Sequence, residues 1–208
     1  MILDGKLVRD EILNDIKNKI QNNNMQVCLA IIFVGTYAPS EVYVRNKIKY
    51  CDRVGIKTKL IRMIESTEEE LINIVEDLNN DNTVNGIIVQ SPVPNNINLE
   101  NVIKHINPLK DIDGFTKQSF YELGHNIDGL RPCTSKGIIR LLKYYNIPLR
   151  GKKVCLIGRG NLVGKPLIFE MLNNDATVTI CHTKTVNLKD ATLGADIIVC
   201  GAGSPFFI

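Results

Sequence analysis

The stretch VCLIGRGNLVGKPLIFEML, residues 154–172, decides the fold class of this chain. The apolar run 154–157 predicts a buried strand, the glycines of 158–164 predict a turn, and 166–172 predicts a helix. Two further apolar runs, 177–181 and 197–200, predict strands. Because strands separated by helices pair in parallel through right-handed crossovers, this region predicts an α/β fold with a parallel sheet.

The same alternation runs through the first part of the chain. The apolar periodicity predicts, in order, a helix over 6–21, a strand over 27–34, a helix over 39–54, a strand over 57–63, a helix with Leu71, Ile74, Val75 and Leu78 on its apolar face, and a strand over 86–90. Ser66 and Glu69 are predicted to form the capping box of that third helix. The stretch 107–132 predicts loops with short helices, and Thr134 is predicted to cap the next helix.

This pattern restarts near 130–150, so the sequence predicts two α/β domains. We assign residues 1–133 to the first domain and residues 134–208 to the second. The second repeats the strand, glycine turn and helix of a Rossmann-like unit.

Composition excludes several classes of protein. The chain has 208 residues, with 44% hydrophobic and 23% charged, which is typical of a globular protein. Its net charge of +3 comes without a block of Lys and Arg, so a dedicated nucleic-acid binder is not expected. The longest apolar runs are too short to span a bilayer, and the first residues lack the apolar segment of a signal peptide, so a cytoplasmic location is predicted.

The six cysteines show no CxxC spacing, so no zinc or redox motif is predicted, and no metal site is expected. Cys28, Cys155, Cys181 and Cys200 lie in apolar runs with strand character. They are predicted to be small buried side chains.

The glycine-rich turn GRGNLVGKP, residues 158–166, predicts a phosphate site. Backbone N–H groups at a helix N-terminus favour an anion, and glycines at 158, 160 and 164 let it approach closely. The spacing is one residue longer than that of the usual dinucleotide fingerprint. A tight turn without a ligand is the alternative interpretation.

The end of the next strand bears on which dinucleotide would bind. NAD sites place an acidic residue about 20 residues after the glycines, whereas here the sequence is Cys-His-Thr-Lys, residues 181–184. Arg159 and Lys184 are cationic and Thr183 carries a hydroxyl, which suits the 2′-phosphate of NADP. Surface charge without a ligand is the alternative for both cations.

Three other segments carry candidate chemistry in the first domain. Tyr43 and Lys47 are four residues apart on a predicted helix, so they share a face, and a partly desolvated lysine there suits a general acid or base. The loop QSPVP, which begins at Gln90, follows a buried strand. The segment KDIDG, residues 110–114, sets two carboxylates beside a glycine. A solvated surface pair and an Asx turn are the alternatives for the first and the last.

Taken together, six ordered motifs resemble those of the bifunctional methylenetetrahydrofolate dehydrogenase–cyclohydrolases. They are VGTYAPSEVYVRNKIKYCDRVGI, GIIVQSPVP, KDIDGF, RPCTSKGI, GRGNLVGKP and CHTKT. The resemblance covers essentially the whole chain. It implies NADP-dependent oxidation of 5,10-methylenetetrahydrofolate, then hydrolysis of the methenyl product to 10-formyltetrahydrofolate, in the one-carbon metabolism that feeds purine biosynthesis. It also implies a cytoplasmic homodimer that binds tetrahydrofolate derivatives.

The resemblance further implies a role for each candidate residue. Lys47 would be the catalytic lysine, Tyr43 would pack over the folate, Gln90 would bond Lys47 and tune its proton affinity, and Asp113 would bind the donor-rich edge of the pterin. In the second domain, the cofactor residues would be Gly158, Arg159, Gly160, Gly164 and Thr183, with Arg159 gripping the 2′-phosphate.

The chain also departs from the family pattern. The family usually has Ser where this chain has Gly160, an apolar residue where it has Ser91, and Pro where it has Ser135. The family also continues beyond residue 208, so the second domain is expected to be incomplete. An apolar end at Phe206, Phe207 and Ile208, an uncovered sheet edge and weak dehydrogenase activity are expected to follow.

Two other functions remain open on the sequence. One is a truncated, non-catalytic remnant that binds folate or a nucleotide. The other is a Rossmann dehydrogenase with an unrelated substrate, which requires the Tyr43–Lys47 and KDIDG matches to be accidental.

Overall fold

A computed structural model describes residues 1–203 and divides the chain into two compact units. One unit runs from Asp4 to Lys117, and the other joins Met1–Leu3 to the chain from Gln118 onward. Each unit contains a parallel sheet with helices between its strands, which confirms the predicted α/β class. The assignment of residues 1–133 and 134–208 to two functional domains stays a prediction.

The unit from Asp4 to Lys117 contains four α-helices, one short 3-10 helix and three strands. In chain order these are α1 (Gly5–Asn22), β1 (Cys28–Val34), α2 (Ala38–Val54), β2 (Lys57–Met63), α3 (Glu68–Asn80), β3 (Gly86–Val89), α4 (Leu99–Ile103) and the 3-10 helix Pro108–Lys110. The helix α5 (Lys117–Gly124) begins at the last residue of this unit.

The described part of the second unit continues with four helices and three strands. These are α5, α6 (Cys133–Tyr144), β4 (Lys153–Ile157), α7 (Gly164–Leu172), β5 (Thr177–Cys181), α8 (Leu188–Leu193) and β6 (Ile197–Cys200).

The first sheet has the strand order β2-β1-β3, with all pairs parallel. The central strand β1 is apolar throughout because it is covered on both faces. Ala30, Ile32 and Val34 face a core with α3, while Leu29, Ile31 and Phe33 face a second core with α2. This arrangement brings the end of β3 and the inner face of α2 to the same edge of the sheet.

The second sheet has the strand order β5-β4-β6, again parallel. On β4, Val154 and Leu156 face one core and Cys155 and Ile157 face the other, as the two-residue period of a strand requires. The glycine turn leaves the carboxyl end of β4, which is the ligand-binding edge of open parallel sheets.

The sequence located the elements closely. Strands β2, β5 and β6 occupy the predicted residues, and α2 ends at Val54, where the left-handed φ of 88° at Gly55 closes the helix. Glycine adopts this conformation without steric cost, so the stop signal at residue 55 is physical. The helix α8 was not predicted, since six residues carry no readable apolar period.

Two predicted helix caps are wrong. The capping box of α3 is formed by Thr67 and Glu70 instead of Ser66 and Glu69: Thr67 Oγ1 accepts from Glu70 N at 3.2 Å, and Glu70 Oε2 accepts from Thr67 N at 2.8 Å. Both pairs fit the same sequence pattern, and the chosen one also lets Glu70 accept from the hydroxyl of Ser66. The expected cap Thr134 lies inside α6, because the carbonyl of Pro132 already accepts the first helical N–H.

The prediction of buried cysteines holds for two of the four. Cys155 and Cys181 are buried with their Sγ atoms 3.7 Å apart, and burial raises the pKa of the Cys155 thiol to about 11. Cys28 is only partly buried, and Cys200 is exposed because it lies on β6, which is an edge of the sheet formed by the described residues. The predicted apolar end at Phe206, Phe207 and Ile208 lies outside the described residues.

Candidate active site

The side chain of Lys47 on α2 reaches the end of β3. Its Nζ donates a hydrogen bond to Oε1 of Gln90 at 3.0 Å. Gln90 follows the last residue of β3 and stays in the ladder, since its N–H donates to the carbonyl of Ile32 at 2.8 Å. The side chain of Gln90 is nearly buried, so its amide needs partners for both ends.

The carbonyl of Ser91 supplies the second partner and fixes the orientation of the amide. Gln90 Nε2 donates to Ser91 O at 2.8 Å, so Oε1 is the atom that faces Lys47. The hydroxyl of Ser40, which is 1% exposed, donates to the same carbonyl at 3.2 Å. Sequence reasoning missed Ser40 as part of the site, although a polar residue on the buried side of α2 was its signal.

Tyr43 lies one turn before Lys47 on α2, as the spacing of four residues predicts. Its side chain is 64% exposed, and the Lys47 side chain is only partly exposed. An exposed ring next to a held ammonium leaves an aromatic face open for a flat ligand.

Asp113 belongs to the same constellation. Burial raises the pKa of its carboxyl, the Lys47 ammonium opposes this by attraction, and the nearby Asp111 carboxylate adds to it. Since Lys47 acts on Asp113 electrostatically and bonds Gln90 directly, the three residues surround one region. The sequence had separated them by 43 and 66 positions, which only the sheet topology brings together.

The glycine turn after β4 is closely packed at two of its three glycines. Gly158 has a φ of 117°, and its N–H donates to the carbonyl of Cys181 at 2.9 Å. A Cβ at Gly164 would lie 2.4 Å from Gly158 O and 2.7 Å from the Cα of Arg159, so only glycine fits there. A Cβ at Gly160 would meet nothing within 4 Å.

The turn after β5 lies beside this glycine turn, because Gly158 bonds the last residue of β5. His182 N donates to Thr185 Oγ1 at 2.8 Å, and Lys184 N donates to His182 Nδ1 at 3.1 Å, which makes a compact turn. Thr183 is exposed within it, and Arg159 is exposed in the glycine turn. Where an NAD site has an acidic residue, this chain has the hydroxyl of Thr183 and the cation of Lys184, with Arg159 in the neighbouring turn. These groups fit the additional 2′-phosphate of NADP.

The packing of the turn fits a dinucleotide. The space that a Cβ at Gly164 would fill is taken by the turn's own backbone, so α7 begins directly beneath Gly158 and Arg159. Close backbone packing of this kind lets a phosphate approach the N-terminus of the helix, where an anion is favoured. The described residues contain no group of three or more His, Cys, Asp or Glu that could hold a metal ion.

Comparison with known proteins gives the family. Residues 3–113 match the model of the tetrahydrofolate dehydrogenase/cyclohydrolase catalytic domain, and residues 132–208 match that of the family's NAD(P)-binding domain. The chain belongs to the tetrahydrofolate dehydrogenase/cyclohydrolase family. The fold of two α/β units, the resemblance and the NAD(P)-binding domain that the sequence predicted are thereby confirmed.

Relatives within the family cover the whole chain. The bifunctional protein FolD of Agathobacter rectalis is 44% identical over 211 residues, which are 100% of this chain and 76% of that protein. The FolD protein of Methanosarcina mazei is 39% identical over 207 residues, or 97% and 72%. This agreement gives no support to an unrelated Rossmann dehydrogenase.

Solved structures of the family agree. The bifunctional FolD enzyme of Campylobacter jejuni superimposes with a TM-score of 0.95 at 38% identity, over 98% of this chain and 74% of that one. The Trypanosoma brucei enzyme, which was solved with NADP and an inhibitor, gives 0.87 at 28% identity, over 97% and 70%. None of the helices within residues 1–203 is long and apolar enough to cross a membrane.

Proposed function

We propose that this chain oxidises 5,10-methylenetetrahydrofolate with NADP and hydrolyses the resulting methenyl compound to 10-formyltetrahydrofolate. The observation that carries the proposal is the 3.0 Å bond between Lys47 Nζ and Gln90 Oε1 beside Asp113. Membership of a family whose relatives are bifunctional supports it. No observation on the described residues favours the non-catalytic remnant.

The folate would be held by Asp113 and Tyr43. An ionised carboxylate only accepts hydrogen bonds, so Asp113 suits the amino and ring N–H groups of a pterin. The exposed ring of Tyr43 suits packing against the flat heterocycle. Both groups would orient the one-carbon unit without taking part in bond making.

Lys47 would handle the protons of the hydrolysis. Water adds to the cationic methenyl carbon and releases one proton, and the bond to one folate nitrogen then breaks as the second proton of the former water moves to that nitrogen, which leaves a formyl group. Lys47 is the amine that the structure holds in this region, and Gln90 keeps its side chain from swinging into solvent. Gln90 is neutral, so it orients Lys47 without cancelling its charge.

NADP, when bound, supplies the acceptor for the hydride. Gly158, Arg159, Gly160, Gly164 and Thr183 would hold it: the glycine turn at the pyrophosphate, and Arg159 with Thr183 at the 2′-phosphate. Gly164 is required by packing, whereas Gly160 leaves open space, so its contribution would be to let the ligand approach.

The proposal includes a cytoplasmic homodimer. The edge strand β2 supports a dimer, since its outer side is unpaired within the described sheet and Leu60 on it is 42% exposed. Sedimentation velocity of the purified chain tests this, and a monomer at micromolar concentration would count against it.

The test of the reaction uses the purified chain with 5,10-methylenetetrahydrofolate and NADP. We expect NADPH to form, and 10-formyltetrahydrofolate to accumulate in equal amount. Supplying the methenyl compound alone should give 10-formyltetrahydrofolate without NADP. Binding of both ligands without any turnover would contradict the proposal and identify a remnant instead.

A further inference from the structure

Lys110, the first residue of the KDIDG segment, is bound to the end of α3. Its Nζ donates to the carbonyls of Leu78, Asn79 and Asp81 at 2.9, 2.8 and 2.9 Å. An ammonium has three donors, so all of them are used on backbone. The last carbonyls of a helix lack partners within the helix and form its negative end, so a cation is favoured there.

The next residues of the loop are fixed against β3. Asp111 is 1% exposed, bridges to Ile87 through its backbone, and accepts from Thr116 N at 2.7 Å through Oδ2. Ile112 lies so close to Gly86 that a Cβ there would be 2.6 Å from its Cγ2. Three consecutive residues, 110–112, are therefore tied to α3 and β3, and Asp113 follows directly.

We propose that Lys110 is a positioning residue for folate binding, which holds Asp113 at the Lys47–Gln90 pair by fastening the loop to α3. The inference rests on the proposed function. Lys110 itself is three residues from Asp113, and its ammonium is fully used on helix carbonyls, so it acts through Asp113 and not on the ligand. A loop released at this point shifts the carboxylate that must meet the pterin, and a shift of about 1 Å is enough to weaken such a contact strongly.

Lys59 provides a matched control. Its Nζ donates to Oδ2 of the same Asp81 at 2.9 Å, but it comes from β2, and its side chain is 50% exposed. Lys59→Met therefore removes a lysine from the same end of α3 without touching the loop that carries Asp113. A purely structural role in holding α3 would make the two lysines behave alike.

The experiment measures folate and NADP affinities of the full chain carrying Lys110→Met or Lys59→Met. We expect Lys110→Met to raise the Kd for 5,10-methylenetetrahydrofolate on the order of tenfold and to leave the Kd for NADP unchanged. The KM for the methylene substrate of the oxidation and the KM for the methenyl substrate of the hydrolysis should rise by the same factor. Lys59→Met should leave both affinities unchanged. Equal folate affinity in Lys110→Met and the unmodified chain, or an equal loss of NADP affinity, would overturn the proposal.

A double-variant cycle tests the route through Asp113. In a chain that already carries Asp113→Asn, Lys110→Met should weaken folate binding little further, because the two changes remove one interaction. Independent losses that add would overturn the proposal. If Lys110→Met does not fold, Lys110→Arg replaces it. The charge stays, but a planar guanidinium cannot donate from one nitrogen to three carbonyls, so we expect a smaller rise in the folate Kd. An unchanged folate Kd in Lys110→Arg would then overturn the proposal.

The unmodified chain separates this inference from the proposed function. Failure of the unmodified chain to bind the folate would remove the proposed function itself. Folate binding and turnover by the unmodified chain, with the same affinity in Lys110→Met, would remove only the role of Lys110.

Discussion

Lys47 Nζ and Gln90 Oε1 lie 3.0 Å apart and join the second helix of the chain to the end of its third strand. The acceptor is neutral and nearly buried, and its other end is held by the Ser91 carbonyl. A lysine held in this way keeps a defined position while its charge stays available to a ligand. The proposed chemistry of this family member depends on this pair.

Removing the acceptor should therefore damage hydrolysis. We expect Gln90→Leu to slow methenyl hydrolysis by about 10- to 100-fold, since a misplaced general acid or base loses part of a contribution of about 10²–10⁴. Asn46→Ala is the control, because it changes an exposed residue of α2 and leaves the Lys47 bond in place. Steady-state rates with the methenyl substrate measure both, and equal rates in the two variants would argue against a role for the bond.

Asp113→Asn should make the protein more stable at neutral pH. Burial raises the pKa of Asp113, so the folded chain binds this proton more tightly than the unfolded chain. The contribution of Asp113 to stability is then fully present below the unfolded pKa of about 3.9 and is lost as pH rises through the folded value. At neutral pH the ionised carboxylate costs stability, and asparagine removes that cost.

Urea unfolding at pH 7 and below about pH 3.9 measures this difference. The gain from Asp113→Asn should be present at pH 7 and vanish in acid, while folate affinity falls. The exposed Asp15→Asn on α1 should show no such gain. A less stable Asp113→Asn at pH 7 would show that burial does not govern this carboxyl.

Arg159 should set the preference for NADP. Arg159→Ala removes a charge-assisted contact worth about 1.5–3 kcal/mol, which is a loss of roughly 10- to 150-fold in NADP affinity, and NAD binding should stay unchanged. Lys153→Met is the control and should leave the affinity for NADP unchanged. It removes a charge from the first residue of β4, which the strand rise places about 13 Å from the end of β4 where the glycine turn begins, beyond the screening length of about 8 Å. Calorimetric titration with both dinucleotides checks this. Equal affinities for NADP and NAD in the unmodified chain would refute the preference.

Two glycines of the same turn should respond differently to alanine. A Cβ at Gly164 would overlap the backbone of Gly158 and Arg159, so Gly164→Ala must open the turn, at about 1–3 kcal/mol of stability and with loss of dinucleotide binding. Gly160→Ala meets nothing within 4 Å, so the free protein should keep its stability. Thermal unfolding of both variants tests the contrast, and equal destabilisation would contradict the packing of the turn.

The sequence predicted elements where one physical rule dominates and failed where two solutions compete. Apolar runs of β-branched residues located β2, β5 and β6, and Gly55 located the end of α2. The capping box was placed one residue early because Ser66–Glu69 and Thr67–Glu70 satisfy the same pattern, and packing selects between them.

The candidate site shows the same division. Spacing on one helix predicted that Tyr43 and Lys47 share a face, and resemblance supplied Gln90 and Asp113. The hydroxyl of Ser40 and the ammonium of Lys110 bond backbone carbonyls that are 51 and about 30 positions away. Contacts of side chains to distant backbone leave no periodic signal, so the fold was needed to find them.

Lys47→Met tests the proposed chemistry most directly, because the two reactions can be followed separately with methenyl and methylene substrates. Hydrolysis needs proton movements at the attacking water and the folate nitrogen, whereas hydride transfer needs mainly alignment. We expect hydrolysis to be abolished and hydride transfer to be retained in larger part, with Lys49→Met, an exposed change on the same helix, behaving as the unmodified chain. Unchanged methenyl hydrolysis in Lys47→Met would contradict the role of Lys47 and, with it, the proposed site.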